Sequence, residues 1–299
     1  MTQRNVRALV FWMSGALLSF STTAVAIRAL APALDVFETL ALRNAIGLAI
    51  LGTAALGKPS LRAGFGTRRL PLQVGRNLVH FGATYAWALG VTLLPLATVF
   101  ALEFTAPAWV GLLAALILKE RLTASRIASI ALGFIGILII LRPGAEAVQP
   151  TALVVLGAAL GFAISTVLTK SLTGTETTFA ILVWMNLIQL PLNLAGSEPL
   201  FPLKLDLADL PAVIGVGVGG LASHFCLTNA YRHGDAIAVI PLDFLRLPLI
   251  ALVGALLYAE PLNPFVFAGA AIIIAGVLQN LWAETRRDVP EPKLAAERG

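Results

Sequence analysis

Four ionisable residues stand inside long apolar stretches of this chain: Arg43, Glu103, Asp243 and Arg246. A charge in hydrocarbon is costly unless it is paired or wetted, so each of the four is a candidate for function. Asp243 and Arg246 are three residues apart, a spacing that puts both on one helix face and lets them pair. Glu103 and Arg43 offer a second pairing, between two helices. Two readings of these charges stand. Either they lock helices together as satisfied ion pairs, or Glu103 and Asp243 serve as gating or coupling groups.

Uncharged polar and aromatic residues recur at helical spacing around them. Asn77, His80, Thr84 and Trp87 share one face, and His224, Thr228 and Tyr231 repeat that spacing on a later helix. Trp12, Gly15, Ser19 and Thr22 form a third stripe, while Phe104 and Phe244 each follow one of the acids. Such stripes line a wet cavity or pack helices together, and for a lone His packing is the commoner use. Their clustering on related helices favours a cavity. The candidate substrate-binding residues are therefore Ser19, His80, Thr84, Phe104, Phe162, His224 and Phe244. Pro107 and Pro248 each remove a backbone hydrogen bond from an apolar helix, as hinges or as ordinary kinks.

Enzyme chemistry finds little support. Three scattered His, one Cys (Cys226) and no HExxH or GxSxG leave neither a metal site nor a nucleophile triad, and no cofactor is expected. A membrane-embedded lipid enzyme, the alternative of another class, would need such a cluster. Gly52 to Lys58 fits the opening of a phosphate-binding loop, but Pro59 stands where a Ser or Thr must hold magnesium.

The elements that position these residues follow from composition. The chain is 58% hydrophobic and 12% charged, against roughly a quarter charged in soluble domains. Its apolar residues fall in ten blocks, near 8–29, 34–56, 72–93, 97–118, 124–141, 151–171, 178–196, 211–231, 236–258 and 264–283. About twenty apolar residues span the hydrocarbon core as a helix, so the expected fold is an all-α membrane protein of about ten transmembrane helices. The first block, with Ala24-Val25-Ala26, resembles a signal peptide, but its length and its part in a repeat mark it as retained. A polar tail over 285–299, with Pro290 and Pro292, is expected to be disordered and cytoplasmic.

The net charge of +5 does not gather into a nucleic-acid patch. With a cytoplasmic N-terminus, most basic residues fall inside, Arg76 among them, and Arg28, Arg142 and Lys204 fall outside. The positive-inside rule then places both termini in the cytoplasm, which ten crossings also require.

The chain repeats itself. A shift of 142 carries Gly15, Phe20, Phe37 and Asn44 onto Gly157, Phe162, Phe179 and Asn186. A shift of 140 carries Phe104, Glu120 and Gly136 onto Phe244, Glu260 and Gly276, and sets Glu103 against Asp243. The halves, 1–144 and 150–284, hold five helices each, and an odd number inverts the second half in the membrane. Inverted repeats are the architecture by which secondary transporters alternate access to a midplane site.

Leu118-Lys119-Glu120-Arg121-Leu122-Thr123 with Gly133 and Gly136, its echo Tyr258-Ala259-Glu260-Pro261-Leu262 with Gly276, and Leu40-Ala41-Leu42-Arg43-Asn44 resemble the drug/metabolite transporter superfamily, in its ten-helix branch with two EamA-type repeats. The second repeat departs from the first by carrying Met185 where Arg43 would recur. The resemblance implies a plasma-membrane exporter of small metabolites, with amino acids of broad range as the first expectation. Export of drugs or quaternary cations, or import of a nucleotide-like metabolite, is the alternative. The third and fourth blocks carry no dense aromatic cage, which argues for a roomy, mixed site. The partners implied are a small-molecule substrate and the lipid bilayer, without nucleic acid.

Overall fold

The computed structural model describes residues 6–94, 99, 102–120, 123–141, 150–258 and 264–287, and among these the regular structure is helical throughout. The helices are α1 (Val6–Leu30), α2 (Val36–Gly57), α3 (Leu70–Leu93), α4 (Ala106–Ile117), α5 (Ala124–Leu141), α6 (Pro150–Leu172), α7 (Thr178–Gly196), α8 (Leu210–His233), α9 (Ala236–Asp243), α10 (Arg246–Tyr258) and α11 (Pro264–Arg287). Local chemistry sets several starts. Asp35 and Glu38 close a reciprocal capping box at α2, with bonds of 2.8 and 2.9 Å. The Thr177 hydroxyl accepts from the Ala180 amide at α7.

Five described segments are long and apolar enough to cross a membrane: α1, α2, α6, α7 and Leu207–His233, which contains α8. Helix α3 is as long but less apolar, because Gln73, Arg76, Asn77, His80 and Thr84 are all buried on its inner face. The outer surface is the reverse. Phe11, Leu56, Leu116, Leu256 and Leu278 are exposed, as suits side chains that meet lipid rather than water.

Helix pairing has the symmetry of the repeat. Swapping the halves exchanges α1 with α6, α2 with α7, α3 with α8, α4 with the α9–α10 pair, and α5 with α11. Under that exchange the contact of α1 with α8 becomes that of α6 with α3, and both are extensive. The contacts of α2 with α7 and of α5 with α11 map onto themselves. Small residues allow these approaches: a Cβ on Gly136 of α5 would lie 2.6 Å from the Gly269 carbonyl oxygen of α11.

Two expectations fail at matching places. The blocks at 97–118 and 236–258 are not single helices. The chain turns at Phe104–Thr105 before α4 and at Phe244–Leu245 between α9 and α10. Tight bonds mark both turns, Thr105 N–H to the Leu102 carbonyl and Leu245 N–H to the Leu242 carbonyl, each 3.2 Å. The physical reason lies just downstream, two residues past Thr105 and three past Leu245, where Pro107 and Pro248 have no backbone N–H to donate to the preceding turn. Asp243 and Arg246 consequently flank a break instead of sharing one helix. The tail also begins later than expected, since Thr285 to Arg287 complete α11; the remainder of 285–299 lies outside the described residues, as do Arg142 and Glu260.

Polar ties join the helix ends. Arg126 of α5 pairs with Asp235 at 2.9 Å, and the Ala236 amide donates to Glu120 at 3.0 Å. At the opposite end Lys204 bridges Glu38 at 2.6 Å and Glu198 at 3.0 Å. The hydrogen bond to Glu38 holds the Lys204 ammonium above its ordinary pKa.

Candidate substrate cavity

A cavity enclosing about 1140 Å³ of empty space, including its mouth, lies between the two halves. Its walls come from α1, α2, α3, α4, α6 and α8 to α10. Rings dominate its middle. Phe20 of α1 meets His224 of α8 edge to face at 5.7 Å, and Phe162 of α6 meets His80 of α3 in the same way at 5.9 Å. The two imidazoles stand 4.8 Å apart, also edge to face. Repeat-related residues thus build two equivalent Phe–His corners around one axis, with Trp87 and Tyr231 on the same wall positions of α3 and α8. The third and fourth blocks each carry three aromatic residues (Phe81, Tyr85 and Trp87; Phe100, Phe104 and Trp109), but the cage is assembled by packing from four helices. Polar side chains share the wall with these rings, among them Thr84, Ser165, Thr169 and Ser223, so the cavity is both ringed and mixed.

Hydrogen bonds orient His80. The Gln189 side-chain oxygen accepts from Arg43 Nη2 at 3.3 Å, and because arginine only donates, that bond fixes which way the amide faces. Gln189 Nε2 then points at His80 Nδ1, 2.9 Å away, and Nδ1 must accept. The neutral ring therefore carries its proton on Nε2. Thr84 Oγ1 lies 3.2 Å from the same Nδ1.

The intramembrane charges pair differently from expectation. Glu103 binds Arg246, not Arg43, at 2.6 Å, with both groups buried. Its other oxygen accepts from Trp87 Nε1 at 2.7 Å. Asp243 reaches the same guanidinium at 3.4 Å and is half-buried, so the expected i to i+3 pair exists as the longer arm of a triad. Phe20 and Phe104 present their rings to Arg246, each centroid 5.3 Å from the guanidinium carbon. The helix breaks explain the exchange of partners. They bring the chain ends beside Glu103 and Asp243 into one layer, whereas Arg43 extends from α2 toward α7.

Of the residues singled out from sequence, His80, Thr84, Phe162, His224, Arg43, Glu103, Asp243 and Arg246 line the cavity. Phe104 and Phe244 lie behind it, buried against each other at 5.9 Å between centroids. Ser19 is not in the wall either. The stripe of Trp12, Gly15, Ser19 and Thr22 packs on α8, where Gly15 adjoins Cys226 and Gly219 adjoins the Ser19 carbonyl. The cavity face of α1 is one residue round, at Phe20 and Thr23. Arg76, Ser165, Thr166 and Thr169 were missed. Arg76 looked like one more cytoplasmic charge, although it sits one turn before His80 on the same stripe and is buried.

An all-helical bundle with paired halves and a polar cavity between them is the build of a membrane transporter. The EamA-like transporter family model matches residues 7–142 and again 149–282, and the chain belongs to that family. It is a transporter and not an enzyme. Among its relatives, a riboflavin transporter of Rhizobium johnstonii is 34% identical over 206 residues, covering 68% of this chain and 67% of that one. A riboflavin transporter of Brucella anthropi is 30% identical over 217 residues, 71% and 76% of the two chains. An S-adenosylmethionine uptake transporter of Rickettsia bellii is 25% identical over 277 residues, 92% and 94%. A solved crystal structure superposes with a TM-score of 0.76 at 18% identity, covering 94% of this chain and 99% of that one, and shares the fold.

Proposed function

We propose that this protein imports a planar nitrogen heterocycle of the riboflavin type across the plasma membrane by alternating access. The observation that carries this reading is the pair of Phe–His corners, which offers a flat substrate edge and face contacts from both repeats. The relatives that carry riboflavin or S-adenosylmethionine in their names support it, since both compounds contain such a ring system. Amino-acid export, the first expectation from sequence, gives way to the alternative of nucleotide-like import. Four rings across a shared axis suit a flat heterocycle better than the aliphatic and charged side chains of a broad amino-acid range. The turns before Pro107 and Pro248 are the hinge candidates, because matched breaks let α4 and the α9–α10 pair bend while the long helices stay rigid.

The test is counterflow in proteoliposomes preloaded with unlabelled riboflavin. Labelled riboflavin should accumulate, and a panel of labelled amino acids should not. Exchange of amino acids with no riboflavin movement would overturn the proposal.

The same proposal places both termini in the cytoplasm. Cysteines at Ser60 should react with a membrane-impermeant maleimide only after the membrane is opened, whereas cysteines at Ser197 should react in intact cells. Labelling of the Ser60 position from outside would reverse the orientation.

A further inference from the structure

Arg43 and Arg76 are buried cations in the cavity wall, and neither forms an ion pair with a carboxylate among the described residues. That distinguishes them from Arg246, which holds two carboxylates. A buried guanidinium without a counter-charge is costly, and its cost is recovered when a ligand supplies the charge. Each retains donors for one. Arg43 gives a single bond, to Gln189 at 3.3 Å, and Arg76 gives Nε to Thr169 Oγ1 at 2.9 Å and Nη1 to Asn77 Oδ1 at 2.6 Å. Of five N–H groups per guanidinium, most remain free to donate.

Both cations bear on His80. Arg76 is one helical turn before it on α3, and Arg43 reaches it through Gln189, whose amide contacts both. The route of Arg43 to the cavity is built into α8, because a Cβ on Gly220 would come within 2.6 Å of its Cγ and Cδ. The opposite charge is gathered elsewhere. Trp87, which donates to Glu103, is eleven residues past Arg76 along α3, about 16 Å at the helical rise. The cavity is therefore polarised along α3, with two uncompensated guanidiniums at one end, the rings between, and the carboxylates at the other. The repeat does not share this polarity: Met185 stands opposite Arg43, and Gly220, aligned through His80 and His224, stands opposite Arg76.

Resting on the proposed heterocyclic substrate, we infer that Arg43 and Arg76 form a subsite for an oxyanion carried on that heterocycle, a phosphate or carboxylate on its side chain. The rings take the flat system and the two guanidiniums take the anion, as fork-shaped donors suited to such oxygens. A neutral flavin fills the rings and leaves the cations bare.

Competition for riboflavin counterflow tests it, with unlabelled riboflavin and unlabelled riboflavin 5′-phosphate as the probes. The phosphate ester should inhibit at a concentration at least about tenfold below that of riboflavin, the gain expected from charge-assisted hydrogen bonds to a desolvated cation pair. In Arg43→Gln and Arg76→Gln proteins that ratio should collapse toward one. The ratio is read within each variant, so a loss of expression does not mimic the result. Equal inhibition by the two probes in the unmodified protein would overturn the anion subsite and leave the heterocycle reading standing. Absence of riboflavin counterflow altogether would overturn both. A ratio unchanged in both variants would move the anion to other residues and overturn the assignment.

Discussion

An Arg246→Met protein should lose about 3–5 kcal/mol of stability, the cost of stranding a buried charge. Glu103 is buried and would keep only Trp87 Nε1 as a partner, and Asp243 would be left at the end of α9, where the helix dipole already opposes a carboxylate. The single changes should rank. Glu103→Gln leaves Arg246 the more distant Asp243 and should cost less, and Asp243→Asn, at a half-buried group 3.4 Å away, should cost least. Glu103→Gln combined with Arg246→Gln removes the stranded pair and should recover much of the loss. Thermal unfolding of the purified variants checks the order. An Arg246→Met protein as stable as the parent would dismiss the triad as a structural element. Transport separates the remaining role of Asp243. If the triad is purely structural, Asp243→Asn should lose counterflow and driven uptake together or not at all. Counterflow that survives while pH-gradient-driven accumulation disappears would assign Asp243 the coupling proton.

The second large effect lies at the ring corners. Replacing Phe162 by Ala, or Phe20 by Ala, should weaken riboflavin affinity about tenfold to a hundredfold, because stacking a flat heterocycle on an aromatic ring contributes about 1–3 kcal/mol. His80→Ala and His224→Ala should do at least as much, since each also removes the partner that fixes its Phe. The symmetry sharpens the expectation. Because the two corners are repeat-related and the imidazole centroids lie 4.8 Å apart, a flat substrate on the axis should be weakened by a change at either corner. Fluorescence quenching of riboflavin by the purified protein measures this directly. Full affinity in both Phe variants would place the substrate outside the cage.

Much of this could be read before any coordinates. Outside the two broken blocks, the period of apolar residues located the helices to within a few positions, since a bilayer demands apolar lengths near twenty residues whatever the fold. The stripe through His80, Thr84 and Trp87 pointed inward, as did its counterpart through His224 and Tyr231, because a helix fixes which of its own residues share a face. Ser19 shows the limit of that logic. Its stripe was polar enough for a cavity, yet small residues such as Gly15 serve equally to let α8 approach, and α1 turned the adjacent face inward.

Sequence by itself thus determined the class of protein, the duplication of its halves and the residues that had to avoid lipid. Tertiary structure alone decided which of those residues meet. Glu103 was as free to pair with Arg43 as with Arg246, and the choice fell to the turns at Phe104–Thr105 and Phe244–Leu245, which swing both acids onto one guanidinium. Arg43 and Arg76 became a bare cation pair, and Phe20, His80, Phe162 and His224 became a cage, only when five helices came together. Helical periodicity is a property of one chain segment, while the partner across an interface depends on crossing angle and axial offset, which no single segment encodes.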